Sequence, residues 1–141
     1  MRMKTKKKSN NKEAITQHST RNILDLSSKK TIGHSKESEA WQFLKQHGFT
    51  LLIRNYYCRL GEIDLIIENQ ACVVFVEVRY RKNKLYGGAA VSITPSKQRK
   101  LINAAELYIQ TNPQILKKNC RFDVIAINGS EIEWIQNAIE R

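Results

Sequence analysis

Cysteine, histidine, acidic side chains and long apolar runs are all in short supply in this chain of 141 residues, and each shortage removes a class of protein. Cys58, Cys72 and Cys120 are odd in number, far apart and without a C-x-x-C pair, so neither a zinc site nor a thiol-redox site has the spacing it needs. Buried free thiols are expected instead. His18, His34 and His47 form no i, i+4 pair and have no third partner, which leaves them surface or capping roles rather than metal ligation. No apolar stretch approaches the ~20 residues of a membrane span, and the basic N-terminus is not followed by the apolar segment of about 7 to 15 residues that a secretory signal requires. The expectation is an intracellular, cytoplasmic protein with no membrane partner.

Acids number 13 against 24 Lys and Arg, a formal charge of +11, and that imbalance calls for a polyanionic partner. Its distribution is uneven. Residues 1–33 hold nine basic side chains against two acids, a net +7, which leaves +4 for the remainder. Rich in Lys, Ser and Asn and poor in apolar residues, this segment cannot bury enough surface to offset its ordering entropy, so it is read as a disordered basic arm. It serves either as a source of salt-dependent phosphate affinity or as a solvated extension. The 41% apolar content suits one modest domain, assigned to residues 34–141, and two more basic clusters fall inside it: RYRKNK at 79–84 and SKQRK at 96–100.

Periodicity supplies the elements. SKESEAWQFLKQHGF places Ala40, Trp41, Phe43 and Leu44 at helical intervals, with Ser35 to cap the start and Gly48 to stop it. Residues 50–58 favour a strand, a turn follows at 59–61, and EIDLIIE at 62–68 alternates Glu62, Asp64 and Ile66 against Ile63, Leu65 and Ile67. A short turn at Asn69 and Gln70 leads into ACVVFVEVRYR. After the Gly-rich KLYGGAAVSI comes a second helix, with Thr94 as N-cap and Pro95 at its first position. RFDVIAI is the next strand, and EIEWI an edge strand with a brief terminal helix behind it. The second helix is long enough for a right-handed crossover between parallel strands, whereas the tight turn at 69–70 makes an antiparallel hairpin. The fold class is therefore α/β, an α-β-β-β-α-β core with a mixed sheet flanked by helices.

If the hairpin turns about Asn69 and Gln70, Asp64 pairs with Phe75 and Glu62 with Glu77, which sets Asp64 and Glu77 diagonally on one face at roughly 7 to 8 Å. Arg79 points to that face as well. Two carboxylates so close repel unless something positive lies between them, and hard oxygen ligands without His or Cys favour Mg²⁺ or Mn²⁺. Such an ion brings a phosphate oxygen and an activated water together, the arrangement of phosphodiester hydrolysis. The bland alternative is a pair of exposed acids with Arg79 as a salt-bridge partner. Both stay open on spacing alone.

Glu37, GEIDLI at 61–66, FVEVRYR at 75–81, LYGGAA at 85–90, SKQRK at 96–100 and RFDVIAI at 121–127 together resemble the YraN-like family of small bacterial proteins. That family is similar in turn to the PD-(D/E)xK, restriction-endonuclease-like nucleases, including Holliday-junction resolvases. The resemblance implies Asp64 and Glu77 as metal ligands, with the Val78 carbonyl a common extra one. It implies Glu37 as a helical acid pointing into the site and Gln98 as a polar residue bordering it. It raises a homodimer too, although no segment declares an interface. The departure is Arg79, where the superfamily motif ends in Lys. A guanidinium stays charged and cannot act as a base, but it can clamp a phosphate. The base role then falls to Glu37 or to water on the ion.

Lys97 and Lys100 share a helix face near an N-terminus whose amides also favour phosphate. Cations there oppose the helix dipole, which points to a partner. Arg79, Arg81, Lys82 and Lys84 form the other basic rim, and Tyr86 either packs back on the domain as a loop residue or stacks on a base. Trp41 and Trp134 sit among apolar residues and are read as core. Two functions follow: a metal-dependent endonuclease acting on DNA, branched or structured, or a nucleic-acid-binding module of the same fold without turnover. A more distant third is an interaction protein that uses its sheet edge and basic arm.

Overall fold

In a computed structural model of the chain, residues 11–82 and 93–141 are described, with side chains from residue 28 onward. Lys84, Tyr86 and most of the Gly-rich loop lie outside the described residues. The elements run α1 (Asn11–Gln46), β1 (Thr50–Cys58), β2 (Gly61–Glu68), β3 (Cys72–Arg81), α2 (Pro95–Thr111), a 3-10 turn (Pro113–Lys117), β4 (Asn119–Asn128) and β5 (Glu131–Ile139). The sheet has the order β1-β2-β3-β4-β5; β3 and β4 are parallel across the α2 crossover, and the other neighbours are antiparallel. The expected order and strand directions are those observed, with the additional edge strand.

Three expectations change at the chain's ends. The arm expected to lack order is helical from Asn11, and α1 runs through Ser35 rather than starting there. Extending an existing helix fixes one residue per hydrogen bond gained, whereas starting one fixes several, so a polar segment without Pro can continue a helix that it would not begin. The chain divides into two compact units at His34 and Ser35. At the C-terminus the brief helix is absent, and residues through Ile139 are strand. Asp123 accounts for this. Fully buried, it accepts hydrogen bonds from Arg121, from Trp134 Nε1 at 2.9 Å and from the Asn137 amide at 2.9 Å. The β4–β5 register shifts between Phe122 and Val124, and Asn137 takes a φ of 51°, so the carboxylate ties down a bulge that keeps the chain in the sheet.

The local signals of the second helix hold. Thr94 Oγ1 accepts from the Lys97 amide at 3.2 Å and Pro95 opens the helix. Gly48, at φ +88°, ends α1 in the left-handed conformation that favours glycine, and His47 Nδ1 bonds the Phe43 carbonyl in the last turn.

In the second unit, helices pack on both sheet faces. Ala40 and Leu44 of α1 cover Leu65, Ile67, Val74, Val76, Ile125 and Ile127, while Leu101, Ala104, Ala105 and Tyr108 of α2 cover Ile63, Ile66, Val73, Phe75 and Phe122. This explains why Cys72 to Val76 is apolar on both faces: β3 is a central strand, and each fully buried Val or Phe contributes about 1.5–3 kcal/mol. Trp41 and Trp134 pack against the α1-side core as expected. Of the cysteines, all free, only Cys72 is buried; Cys58 and Cys120 are half-buried. Among the described residues no helix is long and apolar enough to cross a membrane.

The β1–β2 turn presses against α2. Gly61 has φ +156°, and a Cβ there would stand 3.0 Å from the Lys100 carbonyl oxygen, closer than packed atoms tolerate. Gly61→Ala is expected to cost about 1–3 kcal/mol, the usual penalty for overpacking, read as a lower denaturant midpoint. An unchanged midpoint would mean that the turn is not held against α2.

Candidate active site

The site begins where two strands separate. The β2–β3 ladder runs from Glu68 opposite Val73 to Leu65 opposite Val76 and goes no further. Beyond it, β2 stays with β1, with Ile63 opposite Tyr56, and β3 stays with β4, with Glu77 beside Val124. Asp64 and Glu77 are the first residue on each prong of this fork.

That register corrects the expected one by two residues. Asn69 Oδ1 accepts from the amides of Ala71 and Cys72, each at 2.9 Å, and the Asn69 amide donates to the Cys72 carbonyl, so the turn is wider than a tight one at 69–70. An even shift leaves faces unchanged and moves Asp64 from diagonal to directly across from Glu77.

The regular alternation expected along β2 also breaks. Ile63 and Ile66 lie in the α2-side core, and Leu65 and Ile67 in the α1-side core, so the faces exchange within residues 63–65. On β1 the same exchange surrounds Asn55, whose φ of 54° is left-handed: Arg54 reaches Ser38 and Glu37 of α1, while Tyr56 packs on the α2-side core. Asp64 is therefore turned into the fork, where Oδ2 accepts from the Val78 amide at 2.8 Å. Since the N–H and C=O of a strand residue point to the same edge, the Val78 carbonyl is directed to the Asp64 side too.

Burial dominates the electrostatics. Asp64 is pushed up to about 8, first by desolvation, then by the negative charge of Glu77 beside it and of Glu37 further off, against a lowering from the Val78 amide. The Glu77 carboxyl, 4% exposed, is also raised by desolvation, opposed by Lys97, by a hydrogen bond with Asp64 and by Arg79. Both shifts favour the protonated form, against the positive charge of Arg79 and Lys97 beside Glu77. Arg79 Nη1 and Lys97 Nζ stand 3.6 and 3.7 Å from Glu77 Oε1, whereas Glu77 Oε2 is buried with no hydrogen-bond partner among the described residues.

An orphaned carboxylate oxygen next to a second carboxylate fits a hard divalent cation, which would offset the paired negative charge and satisfy that oxygen. Asp64 and Glu77 could hold it. Among the described residues no group of three or more His, Cys, Asp or Glu is gathered as a metal cage, and two carboxylates suit Mg²⁺, which keeps most of its waters.

The other expected residues divide. Glu37 comes to the fork from α1, with Oε2 3.6 Å from Arg54 Nε. Sequence leaves Arg54 unassigned; a lone cation within TLLIRNYYC is the signal for it. Gln98 Nε2 donates to the Ile93 carbonyl at 3.2 Å, so it braces the start of α2. Lys97 and Lys100 line one cleft of about 380 Å³ with Tyr57, Arg59 and Glu62, residues that sequence did not bring together with them. Arg81 and Lys82 are exposed at the far end of β3, where the Arg81 carbonyl accepts from the Gly129 amide. A larger groove of about 490 Å³, lined by Gln42, Phe43, Ile127 and Ile132, includes none of the site acids.

Both carboxyl shifts have one direction, so the folded state binds more protons than the unfolded chain between the ordinary carboxyl range near 3.8 and about 8. In buffer free of divalent ions, stability is therefore expected to be greatest at the acid end of that window and to fall as pH rises through it, at about 1.4 kcal/mol per unit of displacement. Asp64→Asn should flatten the dependence. Urea midpoints across the window test this, and parallel curves for the two proteins would refute it.

Comparison with known proteins places these residues in a family. Residues 36–127 match the model described as uncharacterised protein family UPF0102. A UPF0102 protein of Nitrosomonas eutropha is 53% identical over 116 residues, 82% of this chain and 98% of that one. One of Saccharophagus degradans is 49% identical over 106 residues, covering 75% and 90%, and one of Neisseria meningitidis serogroup C is 50% identical over 106 residues, covering 74% and 91%. The YraN-like resemblance fits this family. With nearly its whole second unit matched, the chain belongs to the UPF0102 family.

Proposed function

We propose that this chain binds nucleic acid and is a metal-dependent endonuclease that hydrolyses DNA phosphodiesters. The observation that carries the reading is the meeting of half-buried Asp64 and buried Glu77 at the sheet fork, where one Glu77 oxygen has no hydrogen-bond partner among the described residues and two cations face the other. The α-β-β-β-α-β order, with the acids on its second and third strands, supports membership of the PD-(D/E)xK superfamily. The net charge of +11 supports a polyanionic substrate.

Mg²⁺ or Mn²⁺ held by Asp64 and Glu77 would supply a Lewis acid for the phosphodiester and lower the pKa of water. The chain's own groups do the rest. Arg79, permanently charged, grips the phosphate through its planar fork and offsets the negative charge that grows on it. Lys97 adds a compact charge from α2. Glu77 Oε1 holds both cations at the mouth of the fork, so they are oriented before substrate arrives. Glu37, whose charge reaches Asp64, accepts a proton from the attacking water as the new P–O bond forms, and as the ester P–O bond breaks the departing oxygen takes a proton from solvent. Arg54 fixes its position.

Arg79 in place of Lys favours one other reading, a binding module without turnover, since no guanidinium acts as a base. Incubation with branched, single-stranded and duplex DNA in Mg²⁺ or Mn²⁺ separates the two. Cleavage is expected in the wild type, background in Glu77→Gln, and a loss of about 10²–10³ in kcat for Arg79→Ala. Mn²⁺ should also raise the Tm of the wild type but not of Asp64→Asn. Equal products from wild type and Glu77→Gln would sink the enzyme reading; salt-dependent DNA binding without cleavage would establish the module.

A further inference from the structure

The cleft of about 380 Å³ beside the fork is walled on one side by the β1–β2 turn and on the other by the first turns of α2. Arg59, Lys97 and Lys100 outnumber Glu62 in its lining. Neither side is arranged for stability. The first turn of α2 contains no acid, and its lysines oppose the positive end of the helix dipole. Across from them Tyr57, which also lines the cleft, leaves 80% of its surface in water, far more than a tyrosine retained for packing. Gly61 keeps the two walls together, because any Cβ there would meet the Lys100 carbonyl oxygen at 3.0 Å.

Lys97 connects this cleft to the fork. Its ammonium is 3.7 Å from Glu77 Oε1 while its side chain forms part of the cleft wall. A strand whose phosphate sits at Asp64 and Glu77 thus continues past Lys97 into a basic cleft with an aromatic ring at its rim. Cations lining the cleft suit a further phosphate, and an exposed ring suits a nucleobase. Bases inside a duplex are already covered by their neighbours, so the base that stacks on a protein ring is unpaired or flipped out, which costs least where the strand is already single.

Resting on the nuclease reading of the fork, we infer that this cleft is a subsite for the unpaired nucleotide next to the target phosphate. Arg59 and Lys100 hold its phosphate, and Tyr57 stacks on its base. The substrate class is DNA in which a duplex gives way to a single strand, as at a fork or flap.

Equilibrium binding of labelled DNA to the full chain, measured by fluorescence anisotropy without divalent ions, tests the assignment independently of turnover. Wild type should bind a forked duplex more tightly than a blunt duplex of equal length. Tyr57→Ala should weaken forked-DNA binding by about 5- to 140-fold, the range that stacking of one base supports, and erase the preference. Tyr57→Phe, which retains the ring, should keep it. Arg59→Gln and Lys100→Gln together should lower the salt slope by about 0.7, one single-strand phosphate contact. Equal affinity for forked and blunt DNA, or a preference unaffected by Tyr57→Ala, overturns the subsite. A fork-preferring protein that cleaves nothing refutes only the hydrolysis reading, and a Glu77-dependent nuclease indifferent to Tyr57→Ala refutes only the subsite.

Discussion

Two carboxyl groups that meet where little water reaches repel unless positive charge lies against them, and the second unit is organised around one such meeting, buried Glu77 against half-buried Asp64. Asp64 and Glu77 touch because β2 and β3 stop pairing at Leu65 and Val76, so each acid heads a prong whose backbone is already paired to another strand. Opening the fork leaves the Val78 amide without a ladder partner from β2, and Asp64 Oδ2 takes it up. The helices then bring charge to opposite sides: Glu37 with Arg54 from the α1 side, and Lys97 from α2. A sheet zipped to its end would bury the same acids with no space between them for an ion or a phosphate.

Asp123 shows what an acid retained for structure looks like in this protein. It is as buried as Glu77, yet both its oxygens are filled by Arg121, Trp134 and the Asn137 amide, and the result is a fixed bulge in an edge strand. Glu77 has its cations at 3.6 and 3.7 Å, longer than good hydrogen bonds, and an oxygen with no hydrogen-bond partner among the described residues. Burial alone does not separate the two acids. The separating property is satisfaction, since a buried polar atom left unpaired costs about 1–3 kcal/mol and persists only where something else uses it.

Sequence made the strands, the crossover and the nearness of Asp64 to Glu77 legible because those depend on local signals: Thr94 and Pro95 start α2, Gly48 ends α1, and the period of two along FVEVRYR divides Val76 and Val78 from Glu77 and Arg79. The register was not legible, because the Asn69 side chain builds a wider turn, although the error was even and left the acids on one face. The break in alternation at Asp64 was hidden for another reason. It is a joint kink of two strands, marked by Asn55 at φ 54°, and no residue type at either position requires it. Contacts across many residues, such as Arg54 to Glu37 and Lys97 to Glu77, depend on where whole elements pack and leave no trace in spacing.

The exchange of Lys for Arg at position 79 changes meaning once Lys97 is included. A site with a single cation asks that one group both neutralise charge and release a proton, which a guanidinium cannot do. Here the same Glu77 oxygen faces a guanidinium from the sheet and an ammonium from the helix. The two differ in what they hold well: Arg79 suits the two equatorial oxygens of one phosphate, and Lys97, a point charge on a flexible stem, suits whatever lies between that phosphate and the next. Placing the flexible cation on α2 also couples the chemistry to the helix start that Thr94, Pro95 and Gln98 fix, so the geometry at Glu77 depends on a cap more than 15 residues along the chain. Under the proposed hydrolysis, Arg at position 79 thus divides the roles between two elements, the sheet to clamp a phosphate and the helix to guide the strand.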